Sequence, residues 1–287
     1  MNRLPLTVIG GYLGAGKTTL INRLLAEGHG QRVLVMVNDF GAINIDAALL
    51  TSSSEDTLEL SNGCVCCTMG ADLFMAVGDV LDRPKRPDHL VIEASGIADP
   101  ARIAQVALAE PDLSYGGVIS VVDALNFDGL SRDVQIGAQV RGQVDVADLI
   151  LVSKSQNGAL PTALGLPKAP VLDLALIDDV APLILGTALG QAPKPTAGIH
   201  PAYVAWSGTG EPSTRAALQS KLDNRPKGLM RFKGFVQGIG GSDFEVHCVG
   251  PSVSIKSARD VQKTQVVGIG PKGRIDAKTL EAWWHND

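Results

Sequence analysis

Unbroken apolar runs alternate with amphipathic stretches through the first two thirds of the chain. The runs LPLTVIGG, QRVLVMVNDF, HLVIEASG, GGVISVVDA and ADLILVSKS are rich in β-branched residues. Such runs are typical of parallel strands that are covered on both faces. Between them, GKTTLINRLLAEG and DPARIAQVALAE have helical periodicity. The pattern therefore predicts an α/β fold, a doubly wound parallel sheet with right-handed crossovers.

The last third of the chain has a less regular pattern. GIHPAYVAW and TQVVGIG predict strands, and STRAALQSKL and DAKTLEAWW predict helices, which together fit a small α+β domain. The stretch GQAPKPTAG, residues 190–198, is rich in Pro and Gly and indicates a linker. The charge changes there as well: residues 1–195 contain 13 Lys and Arg against 22 Asp and Glu, and residues 196–287 contain 12 against 8. We therefore predict one domain over residues 1–192 and a smaller one over residues 196–287.

Composition narrows the classes of function. The net charge of −5 argues against nucleic acid as the main partner. No apolar run reaches the roughly 18–20 residues that cross a bilayer, so no membrane partner is expected. The apolar run at the N-terminus is short, broken by glycines and interrupted by Lys17, which does not resemble a signal peptide. We therefore expect a cytoplasmic location, where thiols stay reduced.

The strongest motif is GYLGAGKT, residues 11–18, which matches G-x-x-x-x-G-K-[ST] between a predicted strand and a predicted helix. Its glycines let the backbone wrap closely around phosphate oxygens, and the start of the helix adds positive potential. Lys17 is expected to reach the β- and γ-phosphates and Thr18 to ligate Mg²⁺. A chance glycine-rich turn is the alternative, which the Lys-Thr pair and the strand–helix context oppose. The predicted nucleotide contacts in this loop are Gly11, Gly14, Ala15, Gly16, Lys17, Thr18 and Thr19.

Such a loop needs a carboxylate near Mg²⁺ and segments that respond to the γ-phosphate. Glu93 ends an apolar strand, where a partner of Mg²⁺ would lie, and Gly96 can present its N–H to the γ-phosphate. The stretch NDFGAINID, residues 38–46, follows the second strand and contains Asp39 and Asp46. Each acid alone would be interpreted as a surface charge or a helix cap. Beside a phosphate-binding loop, a functional role is favoured.

Three of the four cysteines, Cys64, Cys66 and Cys67, lie within four positions. Alternate residues of a strand face opposite sides, so Cys64 and Cys66 can share a face, and Cys67 joins them only where the chain bends. Three thiolates leave one position of a tetrahedral metal ion open for Asp39, a water or a ligand from another protein. Buried core cysteines and a redox pair are the alternatives. Cys248 stands alone and is predicted to be a strand-core residue.

Four segments together resemble a known family. GGYLGAGKTTLINRLL, NDFGAINID, ELSNGCVCC and IEASGIADP, in this order and spacing, are similar to the CobW-type metallochaperone GTPases, whose relatives include the urease and hydrogenase nickel-insertion factors. The resemblance covers residues 4–155 strongly and continues more faintly beyond them. It implies that residues 1–192 form a GTPase-like P-loop domain and residues 196–287 a CobW C-terminal-like domain.

The resemblance also implies a mechanism. Binding of GTP and Mg²⁺ orders the switch loops and forms a thiolate site for a divalent transition metal, such as Zn²⁺ or Co²⁺. Hydrolysis relaxes that site and releases the metal to a client protein. The candidate catalytic residues carried over from the family are Lys17, Asp46 and Glu93, and the candidates for Mg²⁺ are Thr18, Asp46 and Glu93. The implied ligands of the transition metal are Cys64, Cys66 and Cys67, with Asp39 as a further candidate.

The chain departs from the family at the guanine-reading motif, Asn-Lys-x-Asp. The matching residues 153–156 have the sequence SKSQ. Lys154 can still lay its stem against the base and is predicted to contact the nucleotide. Gln156 has one acceptor oxygen and cannot reproduce the bidentate contact of a carboxylate with guanine. GTP is therefore expected from the family and not from this motif, and ATP stays an alternative.

Two other functions stay open at this point. One is a non-hydrolysing or ATP-using regulatory module that binds nucleotide or metal, which the altered base motif suggests. The other is a P-loop kinase, which is weaker because the sequence shows no lid-like cluster of arginines.

Overall fold

The five apolar runs of the first part of the chain and two three-residue strands that were not predicted form one sheet of seven parallel strands. The structure, a computed structural model, describes residues 3–37, 57–59, 69–186, 203–249, 252–259 and 261–285. The strands lie in the order β3-β2-β4-β1-β5-β6-β7. Their bounds are β1 (Leu4–Gly10), β2 (Val33–Val37), β3 (Thr57–Glu59), β4 (His89–Glu93), β5 (Leu113–Asp123), β6 (Leu149–Ser153) and β7 (Val171–Asp173).

Helices lie between these strands and after the last of them. Within the described residues they are α1 (Lys17–Ala26), α2 (Met69–Leu81), α3 (Pro100–Ala104), α4 (Val106–Ala109), α5 (Phe127–Ser131), α6 (Gly137–Asp145) and α7 (Ala181–Leu185), with 3₁₀ turns at Thr162–Leu164 and Leu174–Leu176. The helix predicted over residues 99–110 is divided at Gln105 into α3 and α4. Asp99 caps α3 by accepting a hydrogen bond from Ala101 N at 3.0 Å.

The strands bury side chains on both faces of the sheet. On β1, Leu6 and Val8 pack in one core with α2 and α3, while Ile9 packs in the opposite core with α1 and α7. Every residue of β2 and β4 is buried. Successive side chains of a strand alternate between its faces, so both faces need a layer of helices. This confirms the predicted doubly wound α/β class.

The parallel arrangement brings the carboxyl ends of the strands to a single edge. β1 lies between β4 and β5, and β6 and β7 continue the sheet on the β5 side. In such open sheets, ligands bind outside the carboxyl ends, where the strand order changes direction. The residues that follow β1, β4, β5, β6 and β7 therefore share one edge.

The C-terminal part of the chain forms a second compact unit. It contains β8 (Tyr203–Gly208), α8 (Arg215–Asp223), β9 (Arg231–Val236), β10 (Phe244–Val249), β11 (Ser252–Ser257), β12 (Gln265–Pro271) and α9 (Ala277–His285). The strands form an antiparallel sheet in the order β11-β10-β9-β12-β8. α8 and α9 share one core with this sheet, in which the ring centroids of Phe232 and Trp284 are 5.2 Å apart. This confirms the predicted α+β class, and Cys248 is a buried core residue, as predicted.

Two strands of the second unit are not predicted from the sequence. β9 carries Arg231 and Lys233, which are 8% and 0% exposed, and these charges interrupt the apolar pattern that identifies a strand. β11 has the sequence SVSIKS, in which three of the six residues are serine. The predicted domain boundary between residues 192 and 196 lies outside the described residues, so it stays a prediction.

None of the helices in the described part of the chain combines the length and the apolar character needed to cross a bilayer.

A buried histidine links β4 to β1 and α7. Thr7 Oγ1 donates its only proton to Ile184 O at 3.2 Å. It must therefore accept from His89 Nε2, which lies 2.8 Å away, and we assign the imidazole proton to that nitrogen. His89 is 2% exposed, and burial lowers its pKa to about 4. The folded chain therefore holds this imidazole in its neutral form, whereas the unfolded chain protonates it near its ordinary pKa of about 6.5.

This difference predicts a loss of stability in mild acid. Between about pH 6.5 and pH 4 the unfolded chain binds a proton that His89 in the folded chain does not, at a total cost of about 3 kcal/mol. Between about pH 7.5 and pH 5, we expect the free energy of unfolding of the wild type to fall by about 2 kcal/mol more than that of His89→Gln. Urea unfolding followed by far-ultraviolet circular dichroism measures both. His285→Gln, at a half-exposed position, is the matched control. An equal pH dependence of wild type and His89→Gln would contradict the assignment.

Candidate functional site

At three positions in the loop of residues 11–16, the backbone has a φ angle that only glycine readily adopts. The φ angles are 135° at Gly11, 74° at Gly14 and 102° at Gly16, all in the region that side chains disfavour. Space is also restricted, because a Cβ on Gly11 would lie 2.4 Å from Val121 O of β5. The loop therefore lies directly on the neighbouring strand before it enters α1.

Lys17 is the first residue of α1 and points back into the loop. Its side chain is 4% exposed, and its Nζ donates to Gly11 O at 3.0 Å. The ammonium group thus lies beside the backbone of the loop, at the N-terminus of a helix. Both features attract an anion such as a phosphate.

The predicted hydroxyl and carboxylate partners are in contact. Thr18 Oγ1 donates to Glu93, at 3.1 Å from Oε1 and 3.3 Å from Oε2. Glu93 ends β4 and is 3% exposed. A buried carboxylate beside a hydroxyl is a set of hard oxygen donors, which suits a small divalent cation.

Gly96 lies against the phosphate loop. A Cβ at this position would be 2.7 Å from Leu13 Cδ2 and 2.8 Å from Leu13 N. The segment around Gly96 is held from the other side by α6, where Gln143 Nε2 donates to Gly96 O at 3.2 Å and to Ala98 O at 3.0 Å. Gln139 donates to the carbonyl between them. These two glutamines, which the sequence did not single out, fix the segment that follows Glu93.

Lys154 joins the loop to the end of β5. Its backbone is left-handed, with φ of 57°, and its Nζ donates to Gly14 O at 2.8 Å and to Asp123 Oδ2 at 2.7 Å. Asp123 is 5% exposed and also accepts from Leu125 N and Asn126 Nδ2. Sequence reasoning missed Asp123, although an acid at the carboxyl end of a predicted strand was a signal that could have identified it.

The end of β6 makes further contacts at the same edge. Ser153 Oγ donates to Ala15 O of the loop at 2.6 Å. Ser155 Oγ lies 2.7 and 2.6 Å from the two carboxylate oxygens of Asp173, the last residue of β7. Asp173 Oδ1 also accepts from Ala175 N at 2.9 Å. Asp173 was not predicted as a site residue either.

Helix α1 is hydrogen-bonded to the segment that follows β7. Arg23 donates to the carbonyl oxygens of Leu174, at 3.2 Å, and Asp178, at 2.8 Å. Glu27, one residue beyond α1, accepts from Val180 N at 2.8 Å and from Ala181 N at 2.7 Å. The start of α1 at the loop and the segment after Asp173 are thereby parts of one hydrogen-bonded structure.

The structure thus brings most of the predicted nucleotide contacts to one edge of the sheet. Gly11, Gly14, Ala15, Gly16, Lys17, Thr18, Glu93, Gly96 and Lys154 lie there, and Thr19 is an exposed residue of the first turn of α1. Asp39, Asp46, Cys64, Cys66 and Cys67 lie outside the described residues. Within the ranges that the structure describes, no three His, Cys, Asp or Glu side chains are grouped so as to hold a metal ion. The ligand-binding roles of all these residues stay predictions.

Comparison with known proteins gives one family and several relatives. Residues 5–159, just over half of the chain, match the family described as "CobW/HypB/UreG, nucleotide-binding domain". The chain is 34% identical over 182 residues to the zinc chaperone CobW of Sinorhizobium sp, and 37% identical over 163 residues to the zinc chaperone YjiA of Escherichia coli. These matches cover 53% and 54% of this chain. The chain spans about half the length of these relatives, 51% and 50%.

A solved structure is also similar along most of the chain. The Zn(II)-bound YjiA GTPase from E. coli is 22% identical to this chain with a TM-score of 0.48. The comparison covers 99% of this chain and 98% of that one.

Because Gly96 lies close to Leu13, alanine at this position is expected to lower stability, whereas alanine at an open glycine is not. Gly96→Ala places a Cβ against backbone atoms that cannot move easily, so we expect it to lower the free energy of unfolding by about 1–3 kcal/mol. Gly78→Ala is the matched control, because a Cβ at Gly78 of α2 meets no atom within 4 Å. It should raise stability by about 0.5–1 kcal/mol. Urea unfolding followed by circular dichroism measures both, and equal stabilities of the two variants would contradict the close contact.

Proposed function

The chain belongs to the CobW/HypB/UreG family, and on this basis we propose that it is a nucleotide-hydrolysing metallochaperone. In this proposal it binds and hydrolyses GTP, holds a transition metal ion as cargo and passes it to a client protein. The relatives named above, of which the chain spans about half, are zinc chaperones, which favours Zn²⁺ over Co²⁺ as cargo. A cytoplasmic location is part of the proposal, because thiol ligands stay reduced there.

One observation carries the nucleotide-binding half of the proposal. The Lys17 ammonium group donates to Gly11 O of the glycine loop, and the Thr18 hydroxyl in the first turn of α1 contacts the buried carboxylate of Glu93. Backbone N–H groups, an ammonium group and a helix N-terminus together suit the phosphates of a nucleotide. The loop does not by itself select the base.

The oxygen donors at Thr18 and Glu93 fit Mg²⁺ as the resident cofactor. A bound Mg²⁺ neutralises the charge that develops on the transferred phosphoryl group. In the proposal the Thr18 hydroxyl holds this ion and Glu93 orients the groups around it, together with Asp46 from outside the described residues. Lys17 binds the β- and γ-phosphates, and Gly96 donates its backbone N–H to the γ-phosphate.

The cargo site is proposed from the sequence. Cys64, Cys66 and Cys67 supply three thiolates, and the fourth position is open to Asp39, a water or a ligand from another protein, which leaves the site less closed than a structural zinc site. These residues lie between the second strand of the sheet and Glu93 along the chain, and Asp46 lies in the same stretch. A nucleotide that orders this stretch would change the arrangement of the thiolates, which is the coupling that delivery of a metal ion requires.

Hydrolysis separates this proposal from a regulatory module that binds without turnover. We expect single-turnover hydrolysis of GTP with Mg²⁺, and we expect Glu93→Gln to slow it at least about a hundredfold while nucleotide binding persists. Glu211→Gln, which removes an exposed acid of the second unit, is the control for the change in charge. If the chain binds GTP or ATP but hydrolyses neither, with or without Zn²⁺ or Co²⁺, the regulatory module is the better description.

Coupling between nucleotide and metal is tested by competition for Zn²⁺. We expect the chain to compete with a chelator at least about tenfold better with a non-hydrolysable GTP analogue bound than without it. Cys66→Ala should no longer compete with the chelator for Zn²⁺. Cys248→Ala, which removes a buried thiol of the second unit, should compete as the wild type does. Equal Zn²⁺ affinities with and without the analogue would remove the coupling from the proposal.

A further inference from the structure

The contacts of the loop indicate the direction in which a bound nucleotide extends. Lys17 and Thr18 mark the position of the terminal phosphates, and Thr18 contacts Glu93 of β4. The metal-binding end of the triphosphate therefore lies on the β4 side of β1. The ribose and base must lie on the opposite side, over the carboxyl ends of β5, β6 and β7, which extend about 14 Å from β1 at the usual strand spacing.

Lys154 supports this direction. Its Nζ is held between Gly14 O and Asp123 Oδ2, so its aliphatic stem lies along the β5–β6 side of the loop. Asp123 is buried and already receives hydrogen bonds from Lys154, Leu125 and Asn126. Its carboxylate is therefore committed to holding the loop and is not available to a base.

Gln156 is poorly suited to replace a base-reading acid. It is exposed and lies in the turn after β6, where its backbone carbonyl oxygen accepts from Ala159 N at 3.0 Å. Guanine presents two neighbouring donors, the N1–H and the 2-amino group, and a single amide oxygen cannot accept both as a carboxylate does. Specific reading of guanine therefore needs a carboxylate from another segment.

Asp173 supplies a carboxylate at this edge. It ends β7, whose backbone pairs with β6 up to Val152 opposite Asp173. The Ser155 hydroxyl, one residue before Gln156, lies 2.7 and 2.6 Å from its two oxygens and shares its single proton between them, and Ala175 N donates to Oδ1. A carboxylate has about four acceptor positions, so two remain for a ligand. The two hydrogen bonds also fix the group in one orientation, as a specificity-determining residue requires.

The geometry points to Asp173 as the residue that specifies guanine in this chain, in place of the acid that is absent at position 156. The inference rests on the proposed function, because it requires a nucleotide on the loop of residues 11–18. It predicts that the chain prefers GTP over ATP despite its SKSQ sequence. It also assigns Ser155 as a positioning residue, since its hydroxyl orients the carboxylate without contacting the base.

A change of base preference tests this assignment without depending on loss of function. Asp173→Asn keeps an oxygen that accepts from Ser155 and from the N1–H of a purine, but its amide group donates where the carboxylate accepts. Xanthine carries a carbonyl oxygen where guanine carries the 2-amino group, so the variant complements xanthine. We expect Asp173→Asn to bind GTP about ten- to a hundredfold more weakly and to gain affinity for xanthosine triphosphate, measured by calorimetry of the full chain with Mg²⁺. A misfolded variant would gain nothing.

Two further variants complete the experiment. Asp178→Asn makes the same change of charge at an exposed position five residues further on, and should leave the preference for GTP unchanged. If Gln156→Ala abolishes the preference for GTP while Asp173→Asn does not, Gln156 reads the base and the inference is wrong. If Asp173→Asn binds GTP as tightly as the wild type, the inference is wrong and the proposed function still stands. Failure of the wild-type chain to bind any of the three triphosphates contradicts the proposed function, and the inference with it.

Discussion

The loop of residues 11–16 is held between two backbone segments that leave no room for a side chain. A Cβ at Gly11 would meet Val121 O at 2.4 Å, and one at Gly96 would meet Leu13 N at 2.8 Å. Folded interiors are close-packed and yield little to such overlaps, so the shape of the loop is set by β5 on one side and by the segment after β4 on the other. The contacts of the first turn of α1, and those of the lysine after β6, depend on this placement.

The parts of the candidate site that the sequence predicts are those with a local signal. The glycine–lysine–threonine motif has a fixed spacing, and Glu93 ends an apolar run, which places it at the ligand edge of a parallel sheet. Asp123 also ends a predicted strand, but neither its partner nor that of Asp173 has a local signal. Their contacts are with Lys154 and Ser155, which lie 31 and 18 residues away along the chain. Only the pairing of β5, β6 and β7 brings these side chains together.

The same distinction holds for the fold. Continuous apolar runs predict five of the seven strands of the first unit because both faces of that sheet are covered, so nearly every side chain must be apolar; the two missed strands, β3 and β7, have only three residues each. β9 of the second unit was missed because it carries Arg231 and Lys233 at buried positions. A buried charge is tolerated when other parts of the chain supply partners for it, and hydrophobic periodicity contains no information about such partners. The division of the predicted helix over residues 99–110 is a smaller difference, confined to Gln105.

The hydrogen bonds between α1 and the segment after β7 have a consequence for how the site can change during evolution. Arg23 and Glu27 bind that segment to the helix that begins at the phosphate loop. The loop and the segment after Asp173 are thus joined through α1. An apolar substitution in the core beneath α1 that shifts the helix should therefore shift the segment after Asp173 with it, because these hydrogen bonds join the two.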